Sequence, residues 1–164
     1  MNNLVSICIP TYNGEKYILE ALNSVNSQTY ENIEIIISDD NSNDNTLKIV
    51  NDFIDISKFP IKIVYHKPNG IGSNWNNSLK YASGEFIKFL FQDDILKFNC
   101  VYEMVQVLIQ NSNLGLVASK REFIYESNYF SDETKVWIKT FGDLQKGLNL
   151  IPYKGKLIMD KQLF

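Results

Sequence analysis

Two short runs of apolar, mostly β-branched residues frame the start of the chain. Residues 5–9 (Val-Ser-Ile-Cys-Ile) are closed by Pro10, and residues 33–37 are isoleucine at every position but one. Runs of this kind and length predict strands buried on both faces. Between them Tyr17, Ile18, Ala21, Leu22 and Val25 recur at the helical period, which puts one apolar stripe on a helix ending near Gln28. The result is one strand-helix-strand unit. The pattern then repeats: Leu47, Val50 and Ile54 mark a second helix, residues 61–65 a third strand and residues 79–82 the end of a third helix. After a helix stop at Gly84, residues 85–91 predict a fourth strand. A helix with Val101, Met104, Val105 and Leu108 on one face follows, and then a fifth strand at 114–118. From Ser119 onward the periodicity fades, and residues 142–155 read as loop and short elements. There is no internal repeat, low-complexity tract or linker.

Strands alternating with helices at this spacing predict an α/β fold, a mostly parallel sheet covered on both faces by right-handed crossovers. Composition agrees with one globular unit: 164 residues, 45% hydrophobic and 21% charged. A chain of this size buries roughly two thirds of its unfolded surface, so neither disulfide nor structural metal is required. The two cysteines, Cys8 in an apolar run and Cys100 near a helix start, read as buried thiols in a reducing compartment. A net charge of -3 without long like-charge blocks argues against a nucleic-acid partner. No stretch approaches the roughly 20 apolar residues of a membrane span, and residues 1–4 lack the pattern of a secretory leader.

Ligands of open parallel sheets bind outside the carboxyl ends of the strands, so the loops there carry the candidate chemistry. After the first strand comes Pro10-Thr11-Tyr12-Asn13-Gly14, after the second Asp39-Asp40-Asn41-Ser42, and after the fourth Gln92-Asp93-Asp94. Two acidic pairs at one sheet edge repel each other, which predicts a cation or donor-rich ligand between them. Carboxylate oxygens favour Mg²⁺ or Mn²⁺, whose shells are commonly completed by phosphate. Taken singly, each piece also has a plain structural reading. The run 39–44 can serve as a strand-to-helix turn, Asp93-Asp94 as a helix cap, and Tyr12 as packing. A calcium loop is excluded, because Asp44 and Val50 stand where an EF-hand needs Gly and Glu. His66, alone after the third strand, reads as an exposed or strand-end residue.

The segments Val5 to Asn13, Ser27-Gln28-Thr29-Tyr30 and Glu34 to Ser42 together resemble the opening of family 2 glycosyltransferases of the GT-A fold. The likeness continues through Asn69-Gly70, Asn76, Gly84 to Ile87 and Phe91-Gln92-Asp93-Asp94, covering residues 4–119. It implies that residues 1–119 form the nucleotide-sugar (donor) part of a GT-A domain and that 120–164, with a strand at 156–159, begin an acceptor part cut short. It further implies that Pro10, Thr11, Tyr12, Asn13 and Asn76 help to hold the nucleotide, with Asp40 on the uracil or ribose side and Asp93 at the ribose or sugar. Asp94 would carry the Mn²⁺ or Mg²⁺ bridging the diphosphate. Two positions depart from the family pattern: Phe91 stands where an extra acid is frequent, and Trp75 where an arginine is common.

The function so implied is an inverting transfer from a nucleotide-diphosphate sugar, a UDP-sugar first, to a glycan or lipid-linked acceptor in cell-surface polysaccharide synthesis. It implies a cytoplasmic location, at the inner membrane face where the acceptor is lipid-linked, with membrane contact through a C-terminal region missing here. Such transfer needs stabilisation of the leaving diphosphate and a general base for the acceptor hydroxyl. No base is identified: Glu126, Asp132, Glu133, Asp143 and Asp160 lack the family's context. A second reading is a non-catalytic or truncated nucleotide-sugar-binding module. A nucleotidyltransferase is disfavoured because no Gly-rich basic loop follows the first strand, and a dinucleotide site because no G-x-G-x-x-G does.

Overall fold

The computed structural model describes residues 3–119. Its elements are β1 (Val5–Thr11), α1 (Ile18–Asn26), β2 (Ile33–Asp39), α2 (Thr46–Ile54), β3 (Ile61–Tyr65), α3 (Ile71–Leu79), β4 (Phe86–Phe89) and α4 (Cys100–Gln110). Every strand pair is parallel, in the order β3-β2-β1-β4. This is the α/β architecture that the alternating pattern predicts.

The side-chain alternation of a strand explains why β1 and β2 are apolar almost throughout. Val5, Ile7 and Ile9 of β1 and Ile33, Ile35 and Ile37 of β2 face one core, shared with Ile18, Leu22 and Val25 of α1, Val50 and Phe53 of α2 and Val101 and Val105 of α4. Cys8 and Ile36 face the opposite side, with Val64, Ala82 and Phe89. On that side α3 packs over β1 and β2. Burial pushes the Cys8 thiol above its ordinary range, so it is an inert packing group. Cys100 is only partly buried, its Sγ 3.7 Å from Met104 Sδ, and both thiols are free.

Several boundaries differ from the expectations. β1 continues through Pro10 to Thr11. The β1–β4 ladder ends at Cys8↔Phe89, and Leu90 N–H donates to Cys8 O. Cys8 and Pro10 share a hydrogen-bonding edge, so the N–H that proline lacks falls where β4 has already ended. α1 ends at Asn26, near the expected Gln28, whose side chain is buried. Its Nε2 donates to Ser24 O and Lys97 O, both at 2.9 Å, and its Oε1 accepts Val101 N–H at 3.0 Å. That last bond satisfies one of the orphan donors at the start of α4. The expected fifth strand at 114–118 is not a strand. Leu116 is 64% exposed and no neighbouring strand among the described residues pairs with this segment, so its apolar character has no sheet to join.

The chain divides into two compact units after Val105, within α4. The sheet belongs to the first unit, and 106–119 is the described part of the second. The stretch 120–164, including the strand expected at 156–159 and the five acidic residues considered as a base, lies outside the described residues. No helix among the described residues is long and apolar enough to cross a membrane.

Candidate functional site

In this strand order the chain winds from β1 outward to β3 and then returns to the other side of β1 as β4. Loops leaving β1 and β4 therefore diverge at the carboxyl edge, the place where a ligand crevice opens in such sheets. A cleft of about 250 Å³ lies there. Pro10, Thr11 and Tyr12 from β1, Asp40 after β2 and Phe91, Gln92 and Asp93 after β4 line it, together with Ile71, Asn74 and Trp75 of α3.

The adjacent acids after β2 have different duties. Asp39 is fully buried and spent on its own turn. Its Oδ1 accepts the Thr11 hydroxyl at 3.0 Å and the Ser42 hydroxyl at 2.6 Å, and its Oδ2 accepts Ser42 N–H at 2.8 Å. Asn41, with φ at 64°, takes the left-handed conformation that the tight turn requires. Asp40 instead reaches the cleft, held by its N–H to Thr11 O at 2.9 Å and by its Oδ1 against His66 Nδ1 at 2.8 Å.

The first loop is pinned by its neighbours. Gln92 Oε1 accepts Tyr12 N–H and Gln92 Nε2 donates to Tyr12 O, which leaves the Tyr12 ring 55% exposed at the cleft. Asn13 does not line the cleft. Its φ is 47°, its N–H donates to Ser42 Oγ, and its Oδ1 accepts Asn43 N–H, so it ties the β1 loop to the β2 loop. A second tie runs from Glu15 N–H to Asp44. Burial alone would raise the Asp44 carboxyl, but bonds from the Thr46 hydroxyl and from the Glu15 and Thr46 amides hold it below its ordinary range.

On α3 the helical phase turns Asn74, Asn77 and Ser78 inward and Asn76 out to solvent. The structure thus brings Asn74, and not Asn76, to the cleft. Asn74 is 4% exposed; its Nδ2 donates to Thr11 O at 3.2 Å and its Oδ1 has no partner. Trp75 packs its ring on Phe91 at 4.8 Å and on Phe89 at 5.9 Å, so it builds an apolar wall of the cleft.

Asp93 is exposed at the rim, while Asp94 is half-buried behind it, its N–H on Phe91 O at 3.0 Å, outside the lining. Among the described residues, neither carboxylate takes a hydrogen bond, no lysine or arginine lines the cleft, and no three His, Cys, Asp or Glu side chains converge into a closed metal centre. A divalent ion bound here would draw further ligands from a bound substrate and from water. A hard ion held by one or two carboxylates plus phosphates has that form, so the donor set fits Mg²⁺ or Mn²⁺.

Of the expected donor-binding residues, Pro10, Thr11, Tyr12, Asp40 and Asp93 come together at the cleft. His66, expected as an exposed or strand-end residue, does follow the last residue of β3, but its side chain is only 15% exposed and lies against Asp40. The signal lay in the register: Asp39 pairs with Tyr65, so the next residues along, Asp40 and His66, leave the sheet side by side.

The model of the family described as glycosyl transferase family 2 matches residues 6–161. An Escherichia coli protein named UDP-Glc:alpha-D-GlcNAc-diphosphoundecaprenol beta-1,3-glucosyltransferase WfgD is 38% identical over 122 residues, covering 74% of this chain and 47% of that protein. Among solved structures, Staphylococcus aureus TarS (residues 1–349) in complex with UDP is 30% identical with a TM-score of 0.62, covering 76% of this chain and 38% of that one. A Pyrobaculum calidifontis mannosyltransferase, 23% identical with a TM-score of 0.65 over 69% of this chain and 34% of its own, shares the fold. The chain spans less than half the length of these relatives.

Proposed function

The chain belongs to glycosyl transferase family 2, and from that membership we propose that it forms the donor-binding part of an inverting transferase that moves a sugar from a UDP-sugar to a glycan or lipid-linked acceptor in cell-surface polysaccharide synthesis. The observation that carries this reading is the cleft where the strand order reverses. It joins an anchored carboxylate, Asp40, to an aromatic wall and an acidic rim with no basic side chain among the described residues. The buried, unpartnered Asn74 Oδ1 adds an unmet acceptor, which suits a ligand rich in N–H and O–H donors. UDP in the TarS complex and the UDP-glucose donor in the name of WfgD support the choice of nucleotide.

In this reading Pro10, Thr11 and Tyr12 receive the base against the Trp75–Phe91 wall, and Asp40 accepts a donor of the base or ribose. Asp93 meets the ribose or sugar hydroxyls, and Asp94 would hold Mn²⁺ or Mg²⁺. The ion, when bound, supplies positive charge against the departing diphosphate. The acceptor hydroxyl must lose its proton to a base on the sugar face opposite the diphosphate. A lipid-linked acceptor would put the reaction at the inner membrane face.

Calorimetric titration of UDP, with and without Mn²⁺, against the chain and Asp94→Asn tests the reading. Metal-dependent binding that weakens in the variant is expected, and absence of metal-dependent UDP binding by the unaltered chain overturns it. A second reading is a donor-binding module without activity of its own, since no general base for the acceptor is identified among the described residues. Donor hydrolysis or transfer in the same samples decides against that module.

A further inference from the structure

His66 leaves β3 beside Asp40, and its own N–H donates to Asp39 O at 2.8 Å, which fixes the backbone from which the ring projects. The ring then spans two elements. Nδ1 lies 2.8 Å from Asp40 Oδ1, and Nε2 lies 3.1 Å from the Ser73 hydroxyl on α3. The His66 and Asp40 side chains are 15% and 14% exposed, so water competes little for either. An ionised carboxylate has no hydrogen to give, so the proton between them belongs to Nδ1. The Ser73 hydroxyl satisfies Nε2 whether that nitrogen accepts or donates. Asp40 is thereby held in one orientation as an acceptor, with Oδ2 uncommitted among the described residues.

We infer that His66 is a positioning residue that fixes Asp40 as a hydrogen-bond acceptor and so makes the cleft select a nucleobase presenting a ring N–H, uracil over cytosine. The inference rests on the nucleotide-sugar reading above. Uracil offers N3–H between two carbonyls, whereas cytosine N3 carries a lone pair that a fixed carboxylate repels. Hydrogen-bonding sites reject analogues lacking the matching donor because the buried acceptor is left unpaired. A carboxylate free to rotate loses that discrimination.

The test titrates UDP and CDP, each with Mn²⁺, against the full chain, His66→Ala and His66→Asn, with thermal melting as the check on folding. The unaltered chain is expected to bind UDP about tenfold or more tighter than CDP. His66→Ala is expected to lose about tenfold in UDP affinity with little change for CDP, bringing the ratio near one. His66→Asn, whose amide can donate to the same oxygen, is expected to recover most of the preference. Should His66→Ala melt below the titration temperature, His66→Phe replaces it, filling the ring's volume without a donor. A ratio unchanged in the donor-less variant overturns the positioning role while leaving UDP binding intact. No UDP binding by the unaltered chain overturns the parent reading and this one with it.

Discussion

The side-chain amide of Gln92 grips the main chain of Tyr12 from both sides, its Oε1 accepting Tyr12 N–H at 2.9 Å and its Nε2 donating to Tyr12 O at 3.1 Å. In effect one side chain adds a rung to the sheet beyond the end of β4. Gly14 makes this approach possible, since a Cβ there would sit 2.4 Å from Gln92 Oε1. Gln92→Ala is expected to free the Tyr12 loop and weaken UDP binding by about tenfold, the worth of one to two hydrogen bonds, while the melting temperature barely moves. Gly14→Ala is expected to act in the same direction by pushing Gln92 off its partners. Paired titrations and melts check both. A UDP affinity unchanged in Gln92→Ala would detach the Tyr12 loop from nucleotide binding.

Gln28 does for the far side of the same region what Gln92 does for the cleft. Its buried amide joins Ser24 O at the end of α1 to Lys97 O and Val101 N–H at the start of α4. Gln28→Ala leaves Val101 N–H bare, while Ser24 O keeps the Ser27 hydroxyl and Lys97 O keeps Cys100 N–H, and is expected to cost about 1–3 kcal/mol of stability. Urea denaturation measures it, and a loss under about 0.5 kcal/mol would mean that water replaces the amide.

The strands were legible because β1 and β2 are buried on both faces, and such burial writes itself into consecutive apolar positions. Residues 114–118 show the limit of that signal. Leu114, Leu116 and Val117 look like a strand, but a strand is defined by a partner, and partners are not local. The same limit governs the site. Cleft residues on the loop after β1 were legible by position, whereas Gln92 acts on Tyr12 across 80 residues and His66 acts on Asp40 across 26. Asn74 and Asn76 differ only by helical phase, which the weakly amphipathic run Ser73-Asn74-Trp75-Asn76-Asn77-Ser78 does not declare.

Glu34 ties the lower edge of the sheet together. Its Oε1 accepts the Ser6 hydroxyl and, from the turn before β4, the Ser83 hydroxyl at 2.8 Å and Ser83 N–H at 2.7 Å. Burial alone would raise this carboxyl, but these bonds and the nearby Gly84 amide bring it below its ordinary range. A carboxyl lowered in the folded state contributes stability that is fully present above its unfolded pKa of about 4.3 and is lost as pH falls through the lower folded value. The melting temperature of the unaltered chain is therefore expected to exceed that of Glu34→Gln at pH 7, with the gap closing below about pH 4.3. A gap constant down to pH 3 would assign the difference to packing instead.

Asp39 and Asp40 are neighbours in sequence with separable roles, and isosteric substitution should separate them. Every acceptor site used on Asp39 faces a donor: the Thr11 and Ser42 hydroxyls at Oδ1 and Ser42 N–H at Oδ2. Asp39→Asn must turn its NH₂ either toward Ser42 N–H, donor against donor, or toward the Thr11 and Ser42 hydroxyls, which must then reverse to accept, and in this fully buried place the loss is expected to cost about 1–3 kcal/mol. Its effect on UDP affinity is indirect and small once the protein is folded. Asp40→Asn can keep a carbonyl toward His66 Nδ1, so its melting temperature is expected to stay near that of the parent. What it loses is the second acceptor oxygen and the charge, and UDP affinity is expected to fall by about tenfold or more. The two variants thus move opposite observables, melting for Asp39 and titration for Asp40. If Asp40→Asn lowers stability and leaves UDP affinity unchanged, Asp40 belongs to the scaffold with Asp39, and the cleft holds its ligand by other groups.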